Sequence, residues 1–226
     1  MHLINRGIRY RLLTVISVTV LLGACAVHPV RHVAASEPSA LPANVFSNTI
    51  DLSTVTVRLP YDEAKMRIQY GLFCEFGNEV TLPNERLPIT KRDIEETFRR
   101  ALGPLNYKFP KPSESVFQSL TSDSPQLLLG ATVIRREASL CFPFSGSPTL
   151  SYGNINSAKG SAYLQITWEV FSFSEKKVVL KRTTEGAFRA DNTIVDGEKI
   201  TTLNALKASL LSLAADPQFK ELILQK

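Results

Sequence analysis

The side chains best suited to moving protons or binding metals lie at one end of this chain. All three histidines, His2, His28 and His32, fall within its first 32 residues. Beyond them there is no imidazole, so neither a Ser-His-Asp nor a Cys-His arrangement nor a histidine metal site can be drawn there. Ser209, Ser212 and every other serine of that stretch lack a histidine base. Three cysteines, Cys25, Cys74 and Cys141, are too few for a thiolate cage, and neither a metal nor a cofactor is expected. Carboxylates are the remaining acid/base groups. Glu95 and Glu96 are adjacent and diverge on a helix, while Glu63, Glu75, Glu79 and Glu85 scatter through turns. A carboxylate-based hydrolase with a glycosidase-type pair is therefore the weaker reading against simple surface solvation. Gly71, Gly77, Gly130, Gly146 and Gly153 fall into no phosphate-cradling spacing. Trp168 with Tyr163, Phe171 and Phe173 could form a ligand platform, but Trp168 and Ile166 share one face of an alternating strand and read as core.

The elements that must hold these residues suit one domain with appendages. The chain has 226 residues, 44% of them hydrophobic, with a mean hydropathy of -0.01, values of a globular protein. Its formal charge of +5 includes Arg6, Arg9 and Arg11. Without residues 1–24 the balance is 23 basic to 21 acidic residues, too even for a nucleic-acid partner. The clusters Arg99–Arg100, Arg135–Arg136 and Lys176–Lys177 with Lys181–Arg182 read as solvated faces.

Three arginines in residues 1–11 precede an uncharged run from Leu12 to Ala24, the n-region and h-region of a secretory signal. At about 1.5 Å per residue this run is too short to cross a hydrocarbon core of about 30 Å. A plain signal peptide or an uncleaved anchor is the alternative. The run ends in Leu22-Gly23-Ala24-Cys25, which resembles the lipobox of bacterial lipoproteins. That resemblance implies removal of residues 1–24 and acylation of Cys25, with attachment to the membrane through two or three chains, enough for stable anchoring. Ala26 follows the cysteine where an inner-membrane retention signal would have aspartate. The resemblance therefore implies the outer membrane of a Gram-negative cell, with the domain facing the periplasm. Residues 25–48, with Pro29, Pro38 and Pro42, read as a flexible tether, and 49–226 as the domain. With Cys25 lipidated, Cys74 and Cys141 form an even pair in an oxidising compartment, where a disulfide is expected. Two buried free thiols are the alternative.

Alternation predicts strands over 52–59 and 66–74, joined as a hairpin through Pro60-Tyr61-Asp62-Glu63, with a helix over 61–70 as the competing reading. Thr90, Asp93 and the pair Ile89/Ile94 mark the start of a helix at 91–102, and Gly103-Pro104 its stop. A short strand follows near Tyr107–Phe109. Gln126 to Phe142 reads as a central strand whose start, Leu127-Leu128-Leu129, is buried on both faces. Residues 143–159 read as a loop, 161–173 and 177–188 as a long hairpin, and Ile200 to Leu213 as a helix. Asp216-Pro217 opens a short final helix. The fold class is α+β: a two-layer sandwich with a mixed or mainly antiparallel sheet covered by two amphipathic helices.

This order resembles periplasmic domains of the curli-channel and Tol type and the auxiliary lipoproteins of envelope lipid transporters. It is more similar to the domain that precedes the trypsin-like peptidase domain in some bacterial secreted proteins. The likeness rests on Gly71-Leu72-Phe73-Cys74, Leu128-Leu129-Gly130-Ala131-Thr132-Val133-Ile134, Cys141, Lys159-Gly160, Ile166-Thr167-Trp168-Glu169-Val170, Thr183-Thr184-Glu185-Gly186 and Ala215-Asp216-Pro217-Gln218-Phe219. It does not extend to the peptidase, and no protease activity is expected. The combined reading is a non-catalytic, lipid-anchored envelope protein that interacts with or assembles another envelope protein. A small-molecule or lipid-binding module, which would need an apolar pocket between sheet and helices, is the alternative. In cells fed labelled palmitate the protein should carry the label and Cys25→Ala should lose it; label retained by the variant would refute acylation at this cysteine.

Overall fold

The computed structural model describes residues 30–34, 36–43, 47–60, 64–70, 74, 76–81, 87–110, 125–143 and 157–224. Cys25 lies outside them, as do most of the expected 143–159 loop and the turn at 61–63. Six strands form one mixed sheet: β1 (Ile50–Val57), β2 (Ala64–Tyr70), β3 (Phe76–Thr81), β4 (Leu127–Phe142), β5 (Ser157–Ser172) and β6 (Lys177–Val195). Helices α1 (Lys91–Leu102), α2 (Gly197–Ala215) and α3 (Pro217–Leu224) complete the domain. The α+β class with a helix layer on a mixed sheet is as expected.

The sheet runs β3-β2-β4-β5-β6, with β1 also on β4. β1 and β2 do not form the expected hairpin. Both run parallel to β4 and lie end to end along the same edge, β1 from Ile50↔Leu127 to Val57↔Val133 and β2 from Ala64↔Arg136 to Tyr70↔Phe142. Two alternating runs joined by a turn-forming sequence look alike whether the chain reverses or merely steps sideways, and the pairing with β4, far away in sequence, decides. Residues 64–70 are strand, not helix. The segment around Tyr107 contributes one bridge, Thr49↔Lys108, in place of a strand.

Among the described residues helices cover only one face. Leu127 and Leu129 are buried toward them, but Leu128 points to the uncovered face and is only half-buried, so the apolar start of β4 is not enclosed on both sides. A bulge after Val133 then changes which residues face the helices: Val133 pairs with Ile166, but Arg135 already pairs with Gln165. Arg136 is thereby turned inward, 3% exposed, where it donates to Glu198 at 2.7 Å. This corrects the reading of Arg135–Arg136 as a solvated face. Burial lowers the pKa of Arg136, and Glu198 opposes that shift.

Local sequence accounts for the helices. Thr90 and Asp93 form the reciprocal capping box at the start of α1, and Ile94, Phe98, Ala101 and Leu102 are its buried face. The Asp93 carboxylate also meets Lys199 of α2 at 2.7 Å, and that contact, with Thr90, holds its pKa down to about 2. The Asp216 side chain accepts from the amides of Gln218 and Phe219 and so caps α3.

α2 lies close on β5 and β6. A Cβ at Gly186 would stand 2.0 Å from the Ala205 carbonyl oxygen and 2.4 Å from the Ser209 nitrogen. Beneath the helices Trp168, Leu164, Ile166, Val170, Leu210, Leu213, Phe219 and Ile223 are all buried, which agrees with the core reading of Trp168. Its indole donates to Thr184 Oγ at 2.8 Å, and that hydroxyl meets the Ser209 carbonyl at 2.8 Å. Gly186→Ala should therefore destabilise the domain by at least about 2 kcal/mol, read as a lower urea midpoint. An unchanged midpoint would mean that α2 does not approach this closely.

Candidate functional site

The face of the sheet away from the helices is polar, and its side chains lie in rows set by strand register. Ser139 of β4 pairs with Ser161 of β5, which pairs with Arg189 of β6. The next row is Gln69, Cys141 and Lys159. The row on the other side holds Glu137, Tyr163 and Ala187. Cys74 and Cys141 form a disulfide, with their Cα atoms 5.6 Å apart, at the end of this face. In the chain-entropy model a bridge spanning this sequence separation contributes about 4 kcal/mol.

The first two rows, with Ala187 of the third, form the floor of a cleft of about 280 Å³ whose opposite wall is the segment Val30–Val33. Arg31 lies over the Tyr163 ring, 5.9 Å from its centroid, and 3.7 Å from Glu137. Tyr163 is fully buried, and burial first, with Glu185 second, pushes its phenol up to about 12. It is protonated at neutral pH and cannot serve as a base. Lys159, Arg189 and Asp191 line the rim, with Arg189 Nε donating to Asp191 at 2.7 Å. Gly160, with φ of +141°, lets β5 pass the Ser139 carbonyl where a Cβ would stand only 2.0 Å away. The Ser139 hydroxyl is buried and has no hydrogen-bond partner among the described residues.

Residues 30–43, read from sequence as tether, line the domain wherever they are described. Val33 shares the cleft with Ala187, yet Ser36 accepts from Ser212 of α2, which also reaches the Glu185 carbonyl at 3.4 Å. The chain thus passes from the polar face around the outer edge of β6 to the helix side. There Lys220 donates to Ser39, and Leu41 is 4% exposed, its amide donating to Leu105 and its carbonyl accepting from Asn106. We refer to this segment as the strap. It occupies part of the outer edge of β6, an edge that would otherwise be open to a partner strand. Pro38, Pro42 and the lack of a periodic apolar pattern describe a strap and a free tether equally well; the isolated Leu41 is a local signal of docking.

A second cleft, of about 370 Å³, opens between β1 and the start of α1, beside Val55, Val57, Leu87 and Ile89. Neither cleft penetrates the layer between α2 and the sheet. Acids are held by cations: Glu137 by Arg135, Glu169 by Lys181, Asp216 by Arg182 and Glu198 by Arg136. Among the described residues no group of three His, Cys, Asp or Glu could hold a metal, and no helix is long and apolar enough to cross a membrane.

No protein-family model and no curated protein matches the chain. Among solved structures it is similar to XCC0632 of Xanthomonas campestris, described by the family model DUF330, at 12% identity over 84% of this chain and 92% of that one, with a TM-score of 0.38. It is similar to the PelC dodecamer of Paraburkholderia phytofirmans at 13% identity over 82% and 100%, with a TM-score of 0.36. A Caulobacter crescentus protein assigned to the lipoproteins matches at 12% over 57% and 85%, with a TM-score of 0.28. Likenesses at these TM-scores carry no weight in the functional reading.

If the strap is part of the fold, the Leu41 amide should exchange with deuterium as slowly as core amides, and Leu41→Ala should cost about 2–3 kcal/mol. Exchange of residues 36–41 at free-peptide rates would restore the flexible tether.

Proposed function

We propose that this is a lipid-anchored protein of the bacterial outer membrane that acts in the periplasm by binding another envelope protein, without catalysis of its own. The anchor is the acylated Cys25 of the lipobox. The observation that carries the binding reading is an apolar patch at the end of the sheet far from the strap's first residues. On the uncovered face Leu128 pairs with Phe171, and Phe171 pairs with Val178 across the next strand. Phe173 packs edge-on against Phe171 at 5.5 Å. Phe173, in the β5–β6 turn, is 47% exposed and Val178, at the start of β6, is 48% exposed, large apolar side chains left open to solvent.

From Lys159 to Phe171 the strand covers about 40 Å at about 3.3 Å per residue. Arg31, beside the Lys159 end, is only six residues from Cys25, a reach of at most about 20 Å. An anchor at Cys25 would thus approach the domain from the side of Arg31 and Tyr163, which lies eight strand residues, roughly 26 Å, from Phe171, and the patch would be left free for a periplasmic partner. The buried side chains between α2 and the sheet, Trp168, Leu164, Ile166, Leu210 and Leu213 among them, weigh against an apolar ligand held there.

A photo-crosslinking residue at Phe173 or Val178 in intact cells should capture one envelope protein reproducibly, and the same residue at Thr183, mid-sheet, should not. Capture of nothing at the patch, or equal capture at all three positions, would overturn the reading.

A further inference from the structure

Sequence offers no phosphate-cradling glycine loop, yet the cleft beneath the strap is built for an anion. We propose that it binds a phosphate-bearing group, with the Ser139 and Ser161 hydroxyls as its floor and Lys159, Arg189 and Arg31 around its rim. Ser139 and Ser161 are directly cross-strand, and Arg189 continues the same row. The Ser139 hydroxyl is in a residue 6% exposed and makes no hydrogen bond among the described residues, a buried donor whose missing partner a phosphate oxygen would supply. Lys159, two residues from Ser161 on the same face, lies in the same wall and has no acid paired with it among the described residues. Arg189 uses Nε on Asp191, a bond that leaves its terminal nitrogens for a second acceptor.

Three cations meet two acids here, Asp191 on Arg189 and Glu137 on Arg31, which leaves a net positive charge, and the space of about 280 Å³ exceeds what a phosphate monoester or diester needs. Hydroxyls and guanidinium N–H groups suit a tetrahedral oxyanion with acceptors on all sides. Such a group could come from a lipid headgroup or from a free phosphate ester. The headgroup source rests on the lipid-anchor reading, which would place the cleft within about 20 Å of acylated Cys25. The anion site itself does not depend on it.

The test uses the mature lipidated protein in neutral detergent micelles. Inorganic phosphate, and separately monomeric dihexanoyl phosphatidylglycerol, are titrated at constant ionic strength and followed by calorimetry and phosphorus NMR. We expect saturable binding that falls about tenfold or more in Lys159→Gln/Arg189→Gln, whose melting temperature should be unchanged, and that persists in the distal control Lys177→Gln/Lys181→Gln. Tighter binding of the lipid than of phosphate would support the proposal with a membrane source, and equal or weaker binding would support it with a soluble ester. No saturable binding of either probe, or equal binding by both double variants, would overturn the site. If Cys25 proves not to be acylated, the phosphate arm still decides.

Discussion

At Gly186 there is no space between helix α2 and strand β6 for a methyl group, and this closeness governs much of what surrounds it. It brings the Ser209 carbonyl within reach of Thr184 and, through Thr184, ties in the Trp168 indole. Polar atoms that would otherwise be stranded in an apolar layer are satisfied there. It also lets Ser212 reach over the β6 edge to the Glu185 carbonyl, where Ser36 of the strap meets it. The two clefts described are lined by no residue of α2, and the strap's route around β6 gives the surface a polarity.

That polarity organises the functional reading. One end of the sheet carries the disulfide, the cationic cleft and the first strap residues; the other carries Phe171, Phe173 and Val178. A protein held by acyl chains through a long free tether could present any side to a partner. One whose linker docks from Arg31 onward has a near side and a far side, and a phosphate site on the near side and a protein contact on the far side would not compete.

Elements whose signals are local were legible in the sequence. The Thr90–Asp93 box and the Gly103-Pro104 stop fix α1 to the residue, and Asp216-Pro217 marks α3. The inward face of Trp168 and Ile166 follows from alternation. What was not legible depends on partners distant in sequence. The end-to-end placement of β1 and β2 is set by β4, more than sixty residues on. Arg136 turns inward because a single bulged residue after Val133 shifts the alternation, and nothing in Val133-Ile134-Arg135-Arg136 marks where the extra residue falls. The cleft was missed because its residues, Ser139, Lys159, Ser161 and Arg189, come from three strands and carry no motif; only the register collects them. The strap was missed because one buried leucine in a proline-bearing segment is a faint mark.

The account depends most on the domain standing in one orientation on the bilayer. Spin labels at Lys159 and at Phe173 of the lipidated protein in vesicles, read by collision with a membrane-bound relaxation agent, measure this directly. The account predicts strong relaxation at position 159 and almost none at 173, about 40 Å farther along the strand. Equal relaxation at both positions, or the reverse order, would contradict it.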